Sequence, residues 1–454
     1  MPQRNILAIS CLSIFCLICY AKAPTNRHAR IFERALQLVD QLYVTPQNKR
    51  ELLENSLHGM MRGLDEHSAY LPPQRFQEVN EKLNQGYGGI GIHIDFDQEN
   101  HILQVVRPII DSPAFKAGIL PGDIIVRINN IGTDLLTGEE CVSQLKGPVG
   151  EDVRLSIERG EEAELREFTL TRAQISVLTV LGHSRNADGT WEYILDDDRR
   201  ILYMQMTDFS RDTAGEMQKI FDRQDELEFE ALILDLRDNG GGLLDTAVKV
   251  CDMFVTDGVI VSTRGRNGRI ITQSLAQAET AISADMPIVV LINGASASAS
   301  EITAGCLQDH KRAVVVGQRS YGKGSVQDIV TLEPGNKSSA LKLTTASFWR
   351  PSERNIHRHP NDMEEDEWGI QPDEGFSIPY SEEEWKQYRN YRYRYRFMPA
   401  SSQRPPAGID PTEDGDPTDV TPPLDIPREF NDRQLLRAIE HLKLQLQQQP
   451  VVAL

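Results

Sequence analysis

Four apolar, largely β-branched runs constrain this chain more than any other feature. They are ILYMQM (201–206), ALILDLR (231–237), IVVLING (288–294) and AVVVGQ (313–318). Each is short for a helix and too continuously apolar to keep one face in water, so each reads as a strand covered on both sides. Helical patterns over 213–222, 244–254 and 298–308 lie between them. Strands alternating with helices imply a largely parallel sheet, the α/β class.

Other stretches differ in character. Residues 28–85 carry helical periodicity through Ile31, Leu36, Leu38, Val39 and Leu42, then Leu52, Leu53, Leu57 and Met60, and Pro72-Pro73 is expected to break it. Residues 86–172 change to short β-branched runs punctuated by glycine, with one helix-like stretch at Gly138–Leu145, which describes a compact β-rich module. A core over 173–380 follows, then a Pro-rich linker over 381–430 and an amphipathic closing helix over 431–448. Seven acids and no Lys or Arg lie between Asp362 and Glu374. YRNYRYRYRF (388–397) reads as a solvated strand or a partner for those acids.

The first 23 residues stand apart. Arg4 precedes an apolar run from Ile6 to Tyr20, and Ala21-Lys22-Ala23 has the form of a cleavage site. This layout predicts an exported, periplasmic protein. Pro24 disfavours cleavage, so a cleaved signal and a short inner-membrane anchor both remain open. Cys11, Cys16 and Cys19 fall within this segment, leaving Cys141, Cys251 and Cys306 at spacings that suit neither a disulfide framework nor a metal. No metal or other cofactor is expected. A formal net charge of −19 argues against nucleic acid as a partner.

Two glycine motifs mislead. GYGGIG (86–91) fits a dinucleotide loop, but the strand-like IHIDF follows where a helix is required. GQRSYGK (317–323) nearly spells a P-loop, but Gly324 stands where a magnesium-binding Ser or Thr belongs. Lys323 needs another explanation.

GASASASE (294–301) follows the third buried run. Ser298-Ala299-Ser300-Glu301 reads as a capping box, and the turn lies at the carboxyl end of a strand, where open α/β sheets bind ligands. The nucleophile-elbow motif is absent, because Ser298 stands where its second glycine belongs. A nucleophilic serine needs a base. His310, twelve residues along the same helix, is ~18 Å from Ser298 at 1.5 Å per residue and cannot serve. His357, His359 and a buried, neutral Lys323 stay open.

The motifs together resemble one family. GMMRGLDEHSAYLPPQ (59–74), GGIGI (88–92), AGILPGDIIVRINN (117–130), LKGPVGEDVRLSIERG (145–160), ALILDLRDNGGGLL (231–244), SASASEITAG (296–305), VVVGQRSYGKGSVQ (314–327) and ASFWRPSERNI with WGIQPD (346–356, 368–373) are similar, in order, to the tail-specific carboxyl-terminal processing proteases. The resemblance implies a multidomain α/β fold: a ClpP/crotonase-like α/β protease core, an inserted β-rich PDZ domain and a helical N-terminal region. It implies a serine endopeptidase with Ser298 as nucleophile, Lys323, twenty-five residues on, as base, and Gln327 orienting the lysine amine. Ser300 is the alternative nucleophile. It further implies an oxyanion hole from the amides of Ala299 and Gly241, and a loop, Gly88, Gly89, Ile90 and Gly91, that binds a peptide C-terminus. Protein or peptide substrates with free C-termini are the implied partners, with room for an adaptor or activator protein and for a homodimer. The acidic insertion within 357–368, the Pro-rich segment before the last helix and the altered turn wording at Asp238 and Gly240 depart from the family pattern. A catalytically silent PDZ scaffold and a nucleotide-binding protein are the competing readings.

Overall fold

A computed structural model describes residues 26–397 and 430–448, apart from 85, 110, 161–163, 187–189, 196–199, 334 and 336–337. The expected signal or anchor and most of the Pro-rich linker lie outside the described residues. No helix among the described residues is long and apolar enough to cross a membrane. The chain forms two compact units. The smaller contains residues up to Phe76 together with Gln327–Thr344, and the larger contains Gln77–Val326 together with the residues from Thr345 onward.

In the smaller unit, helices Arg27–Leu42 and Lys49–Arg62 begin at Asn26 and Asn48, whose side chains accept from the amides of His28 and Arg50. Ile31, Phe32, Val39 and Leu42 are exposed, so their periodicity reports a helix and not a buried face. The strand Ala69–Leu71 pairs antiparallel with residues 340–342. The proline pair acts differently from the expectation. The helix has already ended at Arg62, and Pro73 opens the next one, Pro73–Leu83, because a first-turn proline gives up no needed hydrogen bond.

The β-rich module in the larger unit is an antiparallel sheet of Ile92–Asp97, Ile102–Pro108, Ile124–Ile128, Asp152–Arg159 and Glu164–Thr171, in that order. Leu103, Val105, Ile125, Val153, Leu155 and Cys141 form its dry centre. Thr137 and Glu140 cap the helix Gly138–Leu145 reciprocally. Gly86–Gly89 pairs with Ala173–Ser176, so the chain enters and leaves the module side by side. Such an arrangement suits an inserted domain.

The four apolar runs become adjacent parallel strands, Ile201–Met206, Ala231–Asp235, Ile288–Ile292 and Val314–Gly317, with Val180–Leu181 antiparallel at one edge. Alternate residues face opposite layers. Leu232, Leu234, Val290 and Ile292 meet Ala247, Val250, Ile302 and Leu307 of the helices Leu244–Asp252 and Ala299–Asp309. Ile233, Val289, Leu291 and Val316 meet Ala438, Leu442 and Leu446 of the last helix, Arg433–Gln448. The YRNYRYRYRF stretch is not a strand: it lies in the helix Glu382–Phe397. The alternation of Tyr and Arg suggested period two. The contacts follow helical spacing, with Trp385 packed edge-on against buried Tyr388 and Arg392 donating to Gln205.

A buried ionic group fastens the last helix to the sheet. The fully buried Arg237 donates to both oxygens of Asp235 (3.0 and 2.6 Å), and its Nη1 donates to Asp432 (2.9 Å) and Gln434 (3.1 Å). Its guanidinium also lies 4.6 Å from the centre of the Tyr388 ring. Burial pushes the Asp432 carboxyl up, but Arg237, the Leu435 amide and the Tyr380 hydroxyl outweigh it and hold its pKa below the ordinary value. A depressed folded pKa adds stability that is present above the unfolded pKa and lost as pH falls through the folded one. Asp432→Ala is therefore expected to cost about 3–5 kcal/mol, the range for stranding a buried charge. Urea unfolding between neutral and acid pH checks this, with a flatter acid-side slope expected for the variant. An unchanged urea midpoint at neutral pH would refute it.

Candidate active site

The two central strands end in turns that are bonded to each other. Asn293 donates to Asp238 Oδ1 (2.8 Å) and accepts from the Asp238 amide (3.0 Å). The Asn239 carbonyl accepts from the Ala297 amide (3.0 Å) and the Ser300 hydroxyl (2.9 Å), while Ser296 donates to the Leu236 carbonyl (2.8 Å). Ser296 and Ser300 are fully buried, and their hydroxyls are spent on this scaffold. Only the middle serine, Ser298, is partly exposed.

Ser298 sits at the start of the helix Ala299–Asp309 with φ 57° and ψ −114°. Such a conformation costs a non-glycine residue on the order of 1–3 kcal/mol and must be held by its surroundings. The strand, sharp turn and helix reproduce a nucleophile elbow without its motif. Gly241, at φ +98°, supplies clearance: a β-carbon there would lie 2.8 Å from Ser298 Cβ and 2.9 Å from the Ala299 amide nitrogen. The backbone of Gly241 thus borders the space in front of the Ala299 amide. Its own amide donates to Asn239 Oδ1 (2.9 Å), so serving an oxyanion would require exchanging that bond.

Glu301 does more than the capping expected of it. Its Oε2 accepts from the amides of Ser298 (2.7 Å) and Lys323 (2.9 Å). Its Oε1 accepts from the Gly322 amide (2.7 Å) and the Ser320 hydroxyl (2.5 Å). One buried carboxylate therefore joins the serine turn to the lysine turn. Burial raises its pKa, although all four donors oppose the rise. The Tyr321 amide adds a bond to the Ser296 carbonyl (2.9 Å).

The lysine turn is packed where a P-loop would be open. Gly322, at φ +88°, lies under Trp368 and Arg358, and a β-carbon on Gly324 would come within 2.7 Å of the His357 amide nitrogen. Lys323 is half-buried between them. Of the two histidines kept open as bases, His357 packs against Gly324, whereas His359 is exposed and meets His357 edge-on at 5.0 Å. His310 ends the helix, with Nε2 2.7 Å from the Val259 carbonyl oxygen. The acidic insertion lies alongside, with Trp368 between the guanidinium groups of Arg319 and Arg358, and Glu364 3.6 Å from Arg319.

Gln327 belongs to the smaller unit. Its Nε2 donates to the Thr344 hydroxyl (3.3 Å), which donates to Asp65 (3.1 Å). In the β-rich module, the segment expected to be a carboxylate-binding loop starts as a strand, because Gly88 and Gly89 pair with Gln174 and Ala173. Ile90 and Gly91 make the turn into Ile92–Asp97, and a side chain on Gly91 would collide with Ser112 at 2.3 Å. Among the described residues Ile92–Asp97 is one of the sheet's edge strands, and Phe96 on it touches the start of the helix Gly138–Leu145. An edge strand beside a helix is the geometry for adding a peptide strand.

Residues 200–375 match the profile of peptidase family S41, and residues 104–159 match that of the PDZ domain. The chain is 39% identical over 334 residues to a carboxy-terminal-processing protease of Bartonella bacilliformis, covering 73% of this chain and 72% of that one. It is 32% identical over 347 residues to a carboxyl-terminal-processing protease of a Synechocystis species, covering 75% of each. A solved photosystem II D1 C-terminal processing protease aligns over 78% of this chain and 94% of that one, at 24% identity and a TM-score of 0.42.

Proposed function

This chain belongs to peptidase family S41, the carboxyl-terminal processing serine proteases, and from that premise we propose that it is an exported endopeptidase that cleaves proteins recognised by their free C-termini, with Ser298 as nucleophile and Lys323 as base. The observation that carries the assignment is Glu301, whose single carboxylate holds the backbones of both residues. Ser298 is also the one partly exposed serine of its turn, at a strained elbow.

In this mechanism the Ser298 hydroxyl attacks the scissile carbonyl carbon while the neutral Lys323 amine takes its proton. The oxyanion is met by the Ala299 amide at a helix start, with the Gly241 amide joining once it leaves Asn239. The Lys323 ammonium then protonates the departing amine. Water, deprotonated by Lys323, hydrolyses the acyl-enzyme and frees Ser298. The PDZ domain would select substrates by strand addition along Ile92–Asp97, with the terminal carboxylate at the Ile90-Gly91 turn. Export is supported by the apolar run from Ile6 to Tyr20 ahead of Ala21-Lys22-Ala23.

A peptide ending in a free apolar carboxyl terminus tests this reading against the same peptide amidated. The amide is expected to raise KM by about tenfold or more, the loss of one charge-assisted contact, with kcat less affected. The activity should fractionate with the periplasm. Equal kcat/KM for both peptides would overturn C-terminal recognition.

A further inference from the structure

Gln327, which the resemblance implies orients the Lys323 amine, is itself held by a chain of hydrogen bonds within the smaller unit. Its strand, Ser325–Thr331, pairs with Ala340–Trp349, where the Thr344 hydroxyl accepts from Gln327 Nε2 (3.3 Å). Beyond Thr344 lies the turn that leads into the strand Ala69–Leu71. There Asp65 Oδ1 accepts from the amides of His67 and Ser68 (both 2.8 Å) and from the Thr344 hydroxyl (3.1 Å). Asp65 Oδ2 accepts from the hydroxyl of buried Ser68 (2.7 Å), whose oxygen accepts in turn from the Thr344 amide (3.1 Å).

The protons in this chain can run only one way. Burial pushes the Asp65 carboxyl up, but Ser68, the His67 amide and Thr344 outweigh it and hold its pKa below the ordinary value. Near neutral pH the group is therefore ionised and only accepts. Each hydroxyl has one proton, and those of Ser68 and Thr344 both go to Asp65. The Thr344 oxygen is left as an acceptor toward Gln327, and only the nitrogen end of an amide can donate to it. The amide is thereby fixed, nitrogen toward Thr344 and oxygen at the opposite end. Without an acceptor at position 65, Thr344 could turn its proton toward Gln327 and the amide could flip.

The orientation matters because of what Lys323 becomes. After taking the Ser298 proton it is an ammonium, which only donates. Gln327 follows it by four residues in the chain. We propose that Asp65 is a positioning residue for peptide cleavage: acting through Thr344, it keeps the Gln327 oxygen as an acceptor for the Lys323 ammonium. The inference rests on the proposed Ser298–Lys323 chemistry.

Thr344→Val, which keeps the shape of the side chain and removes the hydroxyl, tests it in the full chain by steady-state kinetics over a range of pH. It is expected to lower kcat by about three- to tenfold, the worth of one hydrogen bond, with KM little changed. The acid limb of kcat/KM against pH should also move to lower pH, since an acceptor favours the charged form of the lysine and its loss lowers the pKa. A merely structural role for Thr344 would leave that limb in place. Thr344→Ser, which restores the hydroxyl, should recover both. Asp65→Ala is expected to match Thr344→Val, and neither should worsen Gln327→Leu, because both act through that amide. Native kcat with an unmoved acid limb in Thr344→Val would overturn the proposal, and so would additive losses when Thr344→Val is combined with Gln327→Leu. If Asp65→Ala loses its turn and does not fold, the pair Thr344→Val and Thr344→Ser decides, and Thr344→Ala carries the same expectations should the valine variant not fold. The Ser298–Lys323 reading fails separately, by a fully active Lys323→Ala. An inactive Lys323→Ala beside a native Thr344→Val would strike this inference alone.

Discussion

Ser298→Ala is expected to lower peptide cleavage by about four to six orders of magnitude, and Lys323→Ala by a similar factor, with the double variant no worse than either single one. The factor is large because each residue acts only through the other. A serine hydroxyl without a base is a poor nucleophile, and a base without a nucleophile has nothing to activate. Ser296 and Ser300 cannot substitute, since both are buried and donate to the carbonyls of Leu236 and Asn239. A lysine base must be neutral to accept the proton, so activity should fall as pH drops below neutrality. Steady-state kinetics on a purified peptide substrate reads all of this. A rate that stays flat to about pH 5, or a fully active Lys323→Ala, would transfer the role to another base. His357, packed against Gly324, would be the first to examine.

Glu301→Gln is the second substitution with a large expected effect, although Glu301 is not assigned a chemical step. Each of its oxygens accepts two donors, and the donors come from the serine turn and the lysine turn. Glutamine offers one oxygen and one amino group, so in either orientation two buried donors face another donor. Stranding a buried donor costs about 1–3 kcal/mol, which puts the expected loss of stability at roughly 2–5 kcal/mol. Cleavage should fall by about a hundredfold or more, because small misplacements of reacting groups cost that much. Raised by burial, the Glu301 pKa adds a contribution that is present below the unfolded carboxyl pKa and lost as pH rises through the folded one. Urea titrations at several pH values, run beside the kinetics, should show this pH dependence in the native chain and not in the variant. Native stability and native rates in Glu301→Gln would remove the carboxylate from its place in the account.

What could be read from the sequence follows the range of the interactions involved. The parallel sheet was legible because continuous apolar runs report burial on both faces without reference to any partner. The serine turn was half legible: spacing identifies a cap, and the reach of Glu301 to its own helix is local. Its bonds to Gly322 and Lys323 are tertiary, and so is the tie between Asn293 and Asp238, which no local pattern announces. The resemblance supplied Ser298 and Lys323 as a pair, whereas the residues alone left the base open. The stretch 388–397 departs from the strand reading because an alternating composition can sit on a helix whose contacts, as at 385, 388 and 392, follow helical spacing. The resemblance implies a carboxylate-binding loop at Gly88 and Gly89, but here they pair with 174 and 173 where the module's two ends meet.

The bond between Arg237 and Asp432 also sets an order of events during synthesis. Its partners are 195 positions apart, and Asp432 leaves the ribosome long after Ser298 and Lys323. Until then the guanidinium just ahead of the Asp238–Gly241 turn lacks this carboxylate, and one face of the sheet lacks its covering helix. A nascent chain therefore carries every residue proposed for catalysis before it can complete the scaffold that holds them.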